Sequence, residues 1–511
     1  MDQDPEGAGT SPDASGPVKA APPLAQRVAR GGFLVAISSY FNIIFGFLAN
    51  TLILTRLLPP TDFGIFALAL SIFSFGNLRP KMGVGYALAH HKETTGELIG
   101  THMTLDISAG FATLLLAGFS IPVLLHFGYS WDVVYVILAL GVGGILDAIT
   151  STAWVLLDRE LNFGRPSIVQ SFVFPLSYLP AFYLALHQGG YWSLVAQNVT
   201  YALLQAIGIW WAARRRLEQN VWQMHWTFDP RLAKELLRFG VVAGMSTLAG
   251  VLVAQFDNFL VGTLRGDANL GFYSRAYNMA QWPSVLVTSV ITQASFYTYT
   301  RLRDDPVRLK KTVTMVLWIV TSLALPLALA IFASAPDLVS LLWTPKWLPS
   351  APFVRFLVSI SIIRPLIDNA GLLFVAVGKP RRTTMIAFIQ AGVLILFATP
   401  LTMRYGVPGT CVGVGIAFGA GLVLNYYYLL KTVPLDLKEV FLSPGLATLV
   451  AMGAYFLLAK GVNLNLLPQF GRVALKSGFV VAVFYLILLA LQPRLLIERL
   501  AYVARLVWVR A

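Results

Sequence analysis

The sequence contains a single cysteine, Cys411, among 511 residues, and only 12% of its residues are charged. One cysteine excludes both a disulfide framework and a multi-cysteine metal site. Hydrophobic residues make up 57% of the chain and the mean hydropathy is +0.69, so the polar surface is too small to cover a soluble globule. The composition therefore predicts a membrane protein.

Sequence motifs for nucleotide binding, metal binding and catalysis are also missing. The sequence has no GxxxxGK[ST] phosphate loop, and its six histidines, which include the neighbours His90 and His91, lack the spacing of metal ligands. The longest predicted link on the outer side, residues 335–351, offers little room for an active site. We therefore predict no catalytic residue, no metal and no cofactor, and a protein that is not an enzyme.

What the sequence does have is apolar runs. Fourteen recur, each of about 20 residues, the length of a helix that crosses a hydrocarbon core of ~30 Å. The net charge of +14 would suggest nucleic acid in a soluble protein, but 26 of the 38 lysines and arginines fall in links on one side of the predicted membrane. Only seven fall on the other side. This asymmetry predicts that both termini are cytoplasmic and that no nucleic acid is bound.

The same pattern divides the chain into segments. The predicted fold is an all-α polytopic membrane protein in which two pseudo-symmetric six-helix lobes surround a central cavity, with a helix pair at the end. The segments are a disordered tail (1–26), an N-terminal lobe (27–213), an interfacial linker (214–238) with a short surface helix that begins at Asp229-Pro230, a C-terminal lobe (239–430), helices 13 and 14 (431–492) and a basic interfacial tail (493–511).

An internal repeat supports the two lobes. A shift of 207 residues places Gly64 on Gly271, Asn50 on Asp257 and Phe66 on Tyr273. It also carries six spans onto the next six in the same orientation. Parallel repeats of this kind are typical of transporters that alternate access to a site between their halves.

The second span carries two basic residues at an unusual place. Arg79 and Lys81 flank Pro80 in "NLRPKMGVG", where proline and glycine make the backbone irregular. Irregular backbone at membrane depth is tolerated against protein or water, so this segment is expected to line the cavity. Two cations there suit a phosphate or diphosphate. The alternative is that the span ends near Leu78 and both residues lie at the interface.

Other charged residues also fall within or beside spans. Arg364 and Asp368 are four residues apart in the tenth span, a spacing that predicts an ion pair on one helix face. Alternatively, Arg364 could join Arg79 and Lys81 as a contact of the phosphate or diphosphate, with Asp368 coupling an ion or balancing the charge. Arg355 is expected to snorkel, and Arg56 and Arg275 are expected either to anchor at the outer interface or to line the cavity. The acidic residues Asp106, Asp147 and Asp257 could couple a proton or Na⁺, or could neutralise the cations of the cavity.

Several stretches carry a resemblance to a known family. "LTRLLPPTDFGIFALAL", "LDRELNFGRPSIVQ" and "FDNFLVGTLRGDANLGFYSRAYNMAQWP" are similar to segments of the Wzx-like oligosaccharide flippases, which belong to the multidrug/oligosaccharidyl-lipid/polysaccharide exporter superfamily. The resemblance spans most of the first 300 residues. "NLRPKMGVGYAL" also resembles the arginine-bearing second span of the related lipid II flippase.

The resemblance implies a function. Such a protein moves undecaprenyl-diphosphate-linked oligosaccharide across the bacterial inner membrane for lipopolysaccharide or exopolysaccharide synthesis, without ATP, beside a glycan polymerase and chain-length machinery. Arg79 would contact the diphosphate, and helices 13 and 14 could hold the polyprenyl tail. Two alternatives stay open: a Na⁺- or H⁺-coupled multidrug antiporter of the same superfamily, and a membrane glycan polymerase or ligase.

Overall fold

The computed structural model describes residues 24–91, 93–218, 222, 227–461 and 466–493, and every regular element in these ranges is a helix. The N-terminal lobe consists of α1 (Leu24–Gly46), α2 (Thr55–Leu57), α3 (Pro60–Gly76), α4 (Arg79–Met82), α5 (Val84–His90), α6 (Gly96–His126), α7 (Trp131–Arg159), α8 (Gly164–Leu186) and α9 (Trp192–Glu218). A π-helical stretch, Phe47–Leu54, joins α1 to α2.

The C-terminal lobe follows the same plan. It consists of α10 (Pro230–Arg265), α11 (Asp267–Ala280), α12 (Trp282–Leu302), α13 (Pro306–Leu342), a 3₁₀ turn (Pro345–Ser350), α14 (Ala351–Ser361), α15 (Ile363–Ala376), α16 (Pro380–Tyr405) and α17 (Val407–Leu430). The chain continues with the pair α18 (Leu437–Gly461) and α19 (Gln469–Leu491).

The predicted all-helical membrane fold is confirmed. Twelve helices or helix pairs in the described part of the chain are long and apolar enough to cross a membrane. The two other predicted spans correspond to α9 and to the pair α11–α12. We call the end of the bundle that carries the arginine- and lysine-rich links the basic end, and the other the opposite end.

The start of α10 differs from the expectation of a separate surface helix. The chain runs unbroken from Pro230 to Arg265, and Asp229 caps it, since its Oδ1 accepts from the Arg231 backbone N–H at 2.7 Å. A helix of 36 residues is about 54 Å long, so its first turns project beyond a ~30 Å apolar core. The predicted basic tail lies outside the described residues except for Pro493, and the first 23 residues of the predicted disordered tail also lie outside them.

The two lobes meet at the opposite end through a reciprocal crossing of α3 and α11. A Cβ atom on Gly64 would lie 1.8 Å from the carbonyl oxygen of Asp267, and one on Gly271 would lie 1.9 Å from that of Pro60. Both pairs are related by the 207-residue shift of the repeat. The two helices therefore touch backbone to backbone about an approximate two-fold axis, an approach that only glycine permits.

A second close approach joins the lobes nearer the basic end. A Cβ on Gly240 of α10 would lie 2.3 Å from the carbonyl oxygen of Met82, and one on Gly244 would lie 1.7 Å from that of Lys81. Gly83 follows with φ of +60°, a left-handed conformation that glycine adopts at little cost. The lobes are thus in contact both at the opposite end and nearer the basic end.

The pair α18–α19 is attached to α13 by polar contacts as well as by apolar packing. Pro326 has no N–H, so the carbonyl of Ser322 lacks its helical donor, and Tyr485 Oη donates to it at 3.3 Å. Asp337 of α13 accepts from Lys476 Nζ at 2.5 Å and lies 3.1 Å from Arg472 Nε. These contacts fix the pair to the C-terminal lobe.

This ion cluster predicts a stability effect. Asp337→Ala should leave Lys476, whose side chain is 15% exposed, without its carboxylate, at a cost of roughly 3 kcal/mol, the lower bound for breaking a buried ion pair. Thermal unfolding of the purified protein should begin at a lower temperature, and protease should release α18–α19 earlier. Asp304→Ala is the matched control, because that side chain is 87% exposed. Equal melting temperatures for the two variants would contradict the assignment.

Candidate functional site

The site is built around the break in the second span. Pro80 has no N–H to give to the carbonyl of Gly76, and α3 ends there. The backbone N–H of Leu78 donates to Thr113 Oγ1 at 3.1 Å, and that of Arg79 donates to Asn77 Oδ1 at 3.3 Å. The short helix α4 then carries Arg79 toward α6 and α7.

Arg79 meets a carboxylate in the N-terminal lobe. Its Nη1 lies 3.7 Å from Asp106 Oδ2, with side-chain exposures of 22% and 4% respectively. At that distance the two groups form an ion pair but no hydrogen bond. Both atoms are buried and have no hydrogen-bond partner in the described part of the protein. Asp147 of α7 lies within electrostatic range of Arg79. Charge attraction holds these two atoms together, and neither Arg79 Nη1 nor Asp106 Oδ2 makes a hydrogen bond.

His102 lies one turn before Asp106 on α6. It is fully buried, and its Nδ1 is 3.0 Å from Thr152 Oγ1. Its Nε2 has no hydrogen-bond partner among the described residues. The Arg79 guanidinium is thus surrounded by two carboxylates and one imidazole, on the side of the break that faces the N-terminal lobe.

Lys81 has a different role in this conformation. Its Nζ donates to the carbonyls of Ser74, at 3.1 Å, and Phe75. In a continuous helix these carbonyls would accept from Leu78 and Arg79, whose N–H groups are used elsewhere. The ammonium group therefore closes the end of α3.

The C-terminal lobe has an equivalent break, between α11 and α12, at Gln281-Trp282-Pro283. Arg364, the second residue of α15, donates from Nη1 to Gln281 Oε1 at 2.7 Å. The two residues, with Tyr277 and Ser361, line a cavity of about 30 Å³. Asp368 lies within electrostatic range of Arg364, but the direct partner is the amide from the broken helix.

Asp257 and Arg275 lie between the first break and the opposite end. Asp257 is 1% exposed and accepts from Tyr273 Oη at 2.7 Å. Arg275 bridges the lobes: its Nη1 donates to Asn50 Oδ1 at 3.0 Å, and its guanidinium lies 3.9 Å from the centre of the Phe63 ring. Arg275 is thus a cation at the lobe interface whose recorded contacts are neutral.

Arg56 forms a clasp at the opposite end. Its Nη2 and Nε donate to the carbonyls of Leu341 and Leu342, at 3.0 and 3.2 Å, at the end of α13. Beside it, Trp347 Nε1 donates to the Thr55 carbonyl at 2.8 Å, and the fully buried Trp347 ring packs edge-on to Phe63. This aromatic cluster was not predicted, although the two tryptophans in "LLWTPKWLP" are a sequence signal for it.

The structure thus gathers Arg79, Asp106 and Asp147 into one cluster, and places Arg364, Asp257 and Asp368 in a second. Arg56 and Arg275 hold the lobes together. Within the described ranges, no group of three or more metal-ligating side chains is arranged to hold a metal ion. This arrangement can bind an anion through arginine, or release one when a carboxylate takes its place.

The fold, with its two broken helices, is the one found in transporters of the multidrug/oligosaccharidyl-lipid/polysaccharide exporter superfamily. The described chain superposes on the lipid II flippase MurJ in an inward closed conformation, with a TM-score of 0.75 at 11% identity, over 91% of this chain and all of that one. An inward-facing multidrug transporter of the MATE family gives 0.56 at 14% identity, over 79% of this chain and 93% of that one.

A sequence profile of the family described as polysaccharide biosynthesis protein matches residues 53–352. The chain belongs to this family. It is also similar to the teichuronic acid biosynthesis protein TuaB of Bacillus subtilis (strain 168), with 24% identity over 400 residues, 76% of this chain and 80% of that protein. The family profile, the relatives and the fold together bear out the predicted resemblance to this exporter superfamily.

Proposed function

We propose that the protein is a flippase for undecaprenyl-diphosphate-linked oligosaccharide in the bacterial inner membrane, with both termini in the cytoplasm. Family membership, the flippase-like fold and an unsaturated arginine at a broken helix support this proposal. The mechanism we propose rests on the last of these, the Arg79 guanidinium at the broken helix. A diphosphate offers several oxygens to a guanidinium, whereas the Asp106 carboxylate leaves Arg79 Nη1 without a hydrogen bond.

The mechanism is an exchange of anions. In the resting protein Asp106 neutralises Arg79, because an uncompensated charge at membrane depth costs roughly 2.5–3.5 kcal/mol. The substrate diphosphate enters from the basic end and displaces Asp106 from Arg79. Lys81, Arg364, Arg275 and Arg56 become further contacts as their helix-end and interlobe bonds open during lobe movement. Asp147, Asp257 and Asp368 balance their charge.

One observation favours the antiporter as a second candidate. Two carboxylates face one guanidinium in the N-terminal lobe, a balance that could also receive an amphipathic cation with Na⁺ or H⁺ coupling. The flippase is favoured because the arginines of the lobe interface and of the second break have neutral direct partners. We also propose that a glycan polymerase receives the exported substrate, and that the protein makes and breaks no bond itself.

A reconstitution experiment separates the two candidates. Proteoliposomes would carry a fluorescent undecaprenyl-diphosphate oligosaccharide in both leaflets, and an impermeant glycosidase would be added outside. With the protein, cleavage should proceed to near completion, because inner-leaflet substrate is brought out. Without it, cleavage should stop at the outer-leaflet share. If cleavage stops there with the protein as well, while a proton gradient drives ethidium transport, the antiporter is the correct assignment.

A further inference from the structure

A groove of about 670 Å³ runs along the C-terminal lobe, and one of its lining residues, Ile360, also lines the small cavity at the second break. It is lined by Phe332 and Pro336 of α13, by Leu348 of the 3₁₀ turn and by one face of α14. Phe356 and Leu348 are 40% and 42% exposed. These apolar side chains belong to helices long and apolar enough to cross a membrane, and an acyl chain is an occupant that such a lining suits.

One charged residue, Arg355, lies in this lining. Pro336 has no N–H, so the carbonyl of Phe332, four residues earlier, lacks its helical donor, and Arg355 Nε donates to it at 3.2 Å. Its Nη2 also lies 3.4 Å from Tyr455 Oη of α18. These two bonds hold the guanidinium at a fixed place in the groove but use only two of its five N–H donors.

The charge of Arg355 has neutral recorded partners. The carboxylate next along α13, Asp337, is bound by Lys476 and Arg472. Within the described part of the chain, this carboxylate is therefore engaged by two cations other than Arg355. A cation near the membrane surface can extend its side chain toward the headgroup level. Arginine binds a phosphate there through two parallel hydrogen bonds.

We propose that this groove binds an anionic phospholipid of the leaflet at the opposite end, with its phosphate on Arg355 and one acyl chain along α14. The site is separate from the transport site around Arg79 and is independent of the proposed substrate. Its lipid would lie between α13 and α14 and would bridge the C-terminal lobe and α18 through Arg355 and Tyr455.

Native mass spectrometry of the purified full-length protein tests this assignment. With added phosphatidylglycerol, the wild type should retain a bound lipid that phosphatidylcholine does not replace. Arg355→Gln should weaken retention by about tenfold or more, the effect of losing one charge-assisted hydrogen-bonded contact, and Arg355→Lys should weaken it less. The matched control is Arg404→Gln, an arginine at the same end that stacks on Tyr405 outside the groove.

Because Arg355 also supports the helix at Pro336, a second variant keeps the arginine and fills the space. Ser359→Phe, at an exposed position of the lining, should reduce retention of phosphatidylglycerol without lowering the melting temperature. Unchanged retention in either Arg355→Gln or Ser359→Phe would overturn the proposal. Equal loss in Arg404→Gln would overturn it as well, since binding would then reflect surface charge alone.

Discussion

Replacing Gly64 with alanine should reduce transport of the lipid-linked substrate by about tenfold or more. A tenfold loss corresponds to destabilising the state closed at the opposite end, which the cycle must pass through, by roughly 1.4 kcal/mol. The Cβ atom would lie 1.8 Å from the backbone carbonyl oxygen of Asp267, and a backbone atom cannot turn aside as a side chain can. The lobes would separate at the opposite end. By the symmetry of the crossing, Gly271→Ala should have the same effect.

The control for this prediction is Gly118→Ala in α6, where an added Cβ meets nothing within 4 Å. A cysteine at the buried Ser274, one turn beyond Gly271, gives a second readout in a Cys411→Ala background. An impermeant thiol reagent added at the opposite end should label it faster in Gly64→Ala than in the parent. Normal transport with unchanged labelling would show that this crossing does not govern closure.

This crossing also illustrates what the sequence could predict. The length of each apolar run fixes the order of helices, because a bilayer requires about 20 residues per crossing, and the predicted fold is confirmed. The 207-residue repeat also aligned Gly64 with Gly271 correctly. Repeated small residues are visible in one sequence because symmetry makes both copies meet the same steric demand.

The hydrogen-bond partners of the charged residues were harder to predict from the sequence. Helical spacing pointed from Arg364 to Asp368, whereas the direct hydrogen bond goes to Gln281, 83 residues away along the chain. Lys81 was predicted to line the cavity. Its Nζ instead bonds two carbonyls of α3, because the N–H groups of Leu78 and Arg79 donate to side chains. Such partners depend on tertiary packing, so local periodicity does not contain them. The site assignments themselves stay predictions.

The second large effect concerns Arg79 and Asp106. Arg79→Gln should lower transport by about a hundredfold, since a charge-assisted contact to the diphosphate is worth up to ~3 kcal/mol. Asp106→Asn should act differently. It removes the anion that competes with the substrate, so half-saturation should occur at a lower substrate density, while the maximal rate should fall because release of the diphosphate is no longer assisted. Initial rates in proteoliposomes, measured against substrate density, give both quantities.

Folding and function can be separated at this pair. Arg79→Gln leaves Asp106, with a side chain only 4% exposed, without its cation, and this variant should be less stable. The double variant Arg79→Gln/Asp106→Asn removes both charges and should regain stability but not transport, because replacing a buried pair by neutral groups is often tolerated. Arg303→Gln, at an exposed pair with Asp304, is the control for charge. If Asp106→Asn instead loses transport at unchanged half-saturation, Asp106 only positions Arg79, and the exchange of anions is wrong.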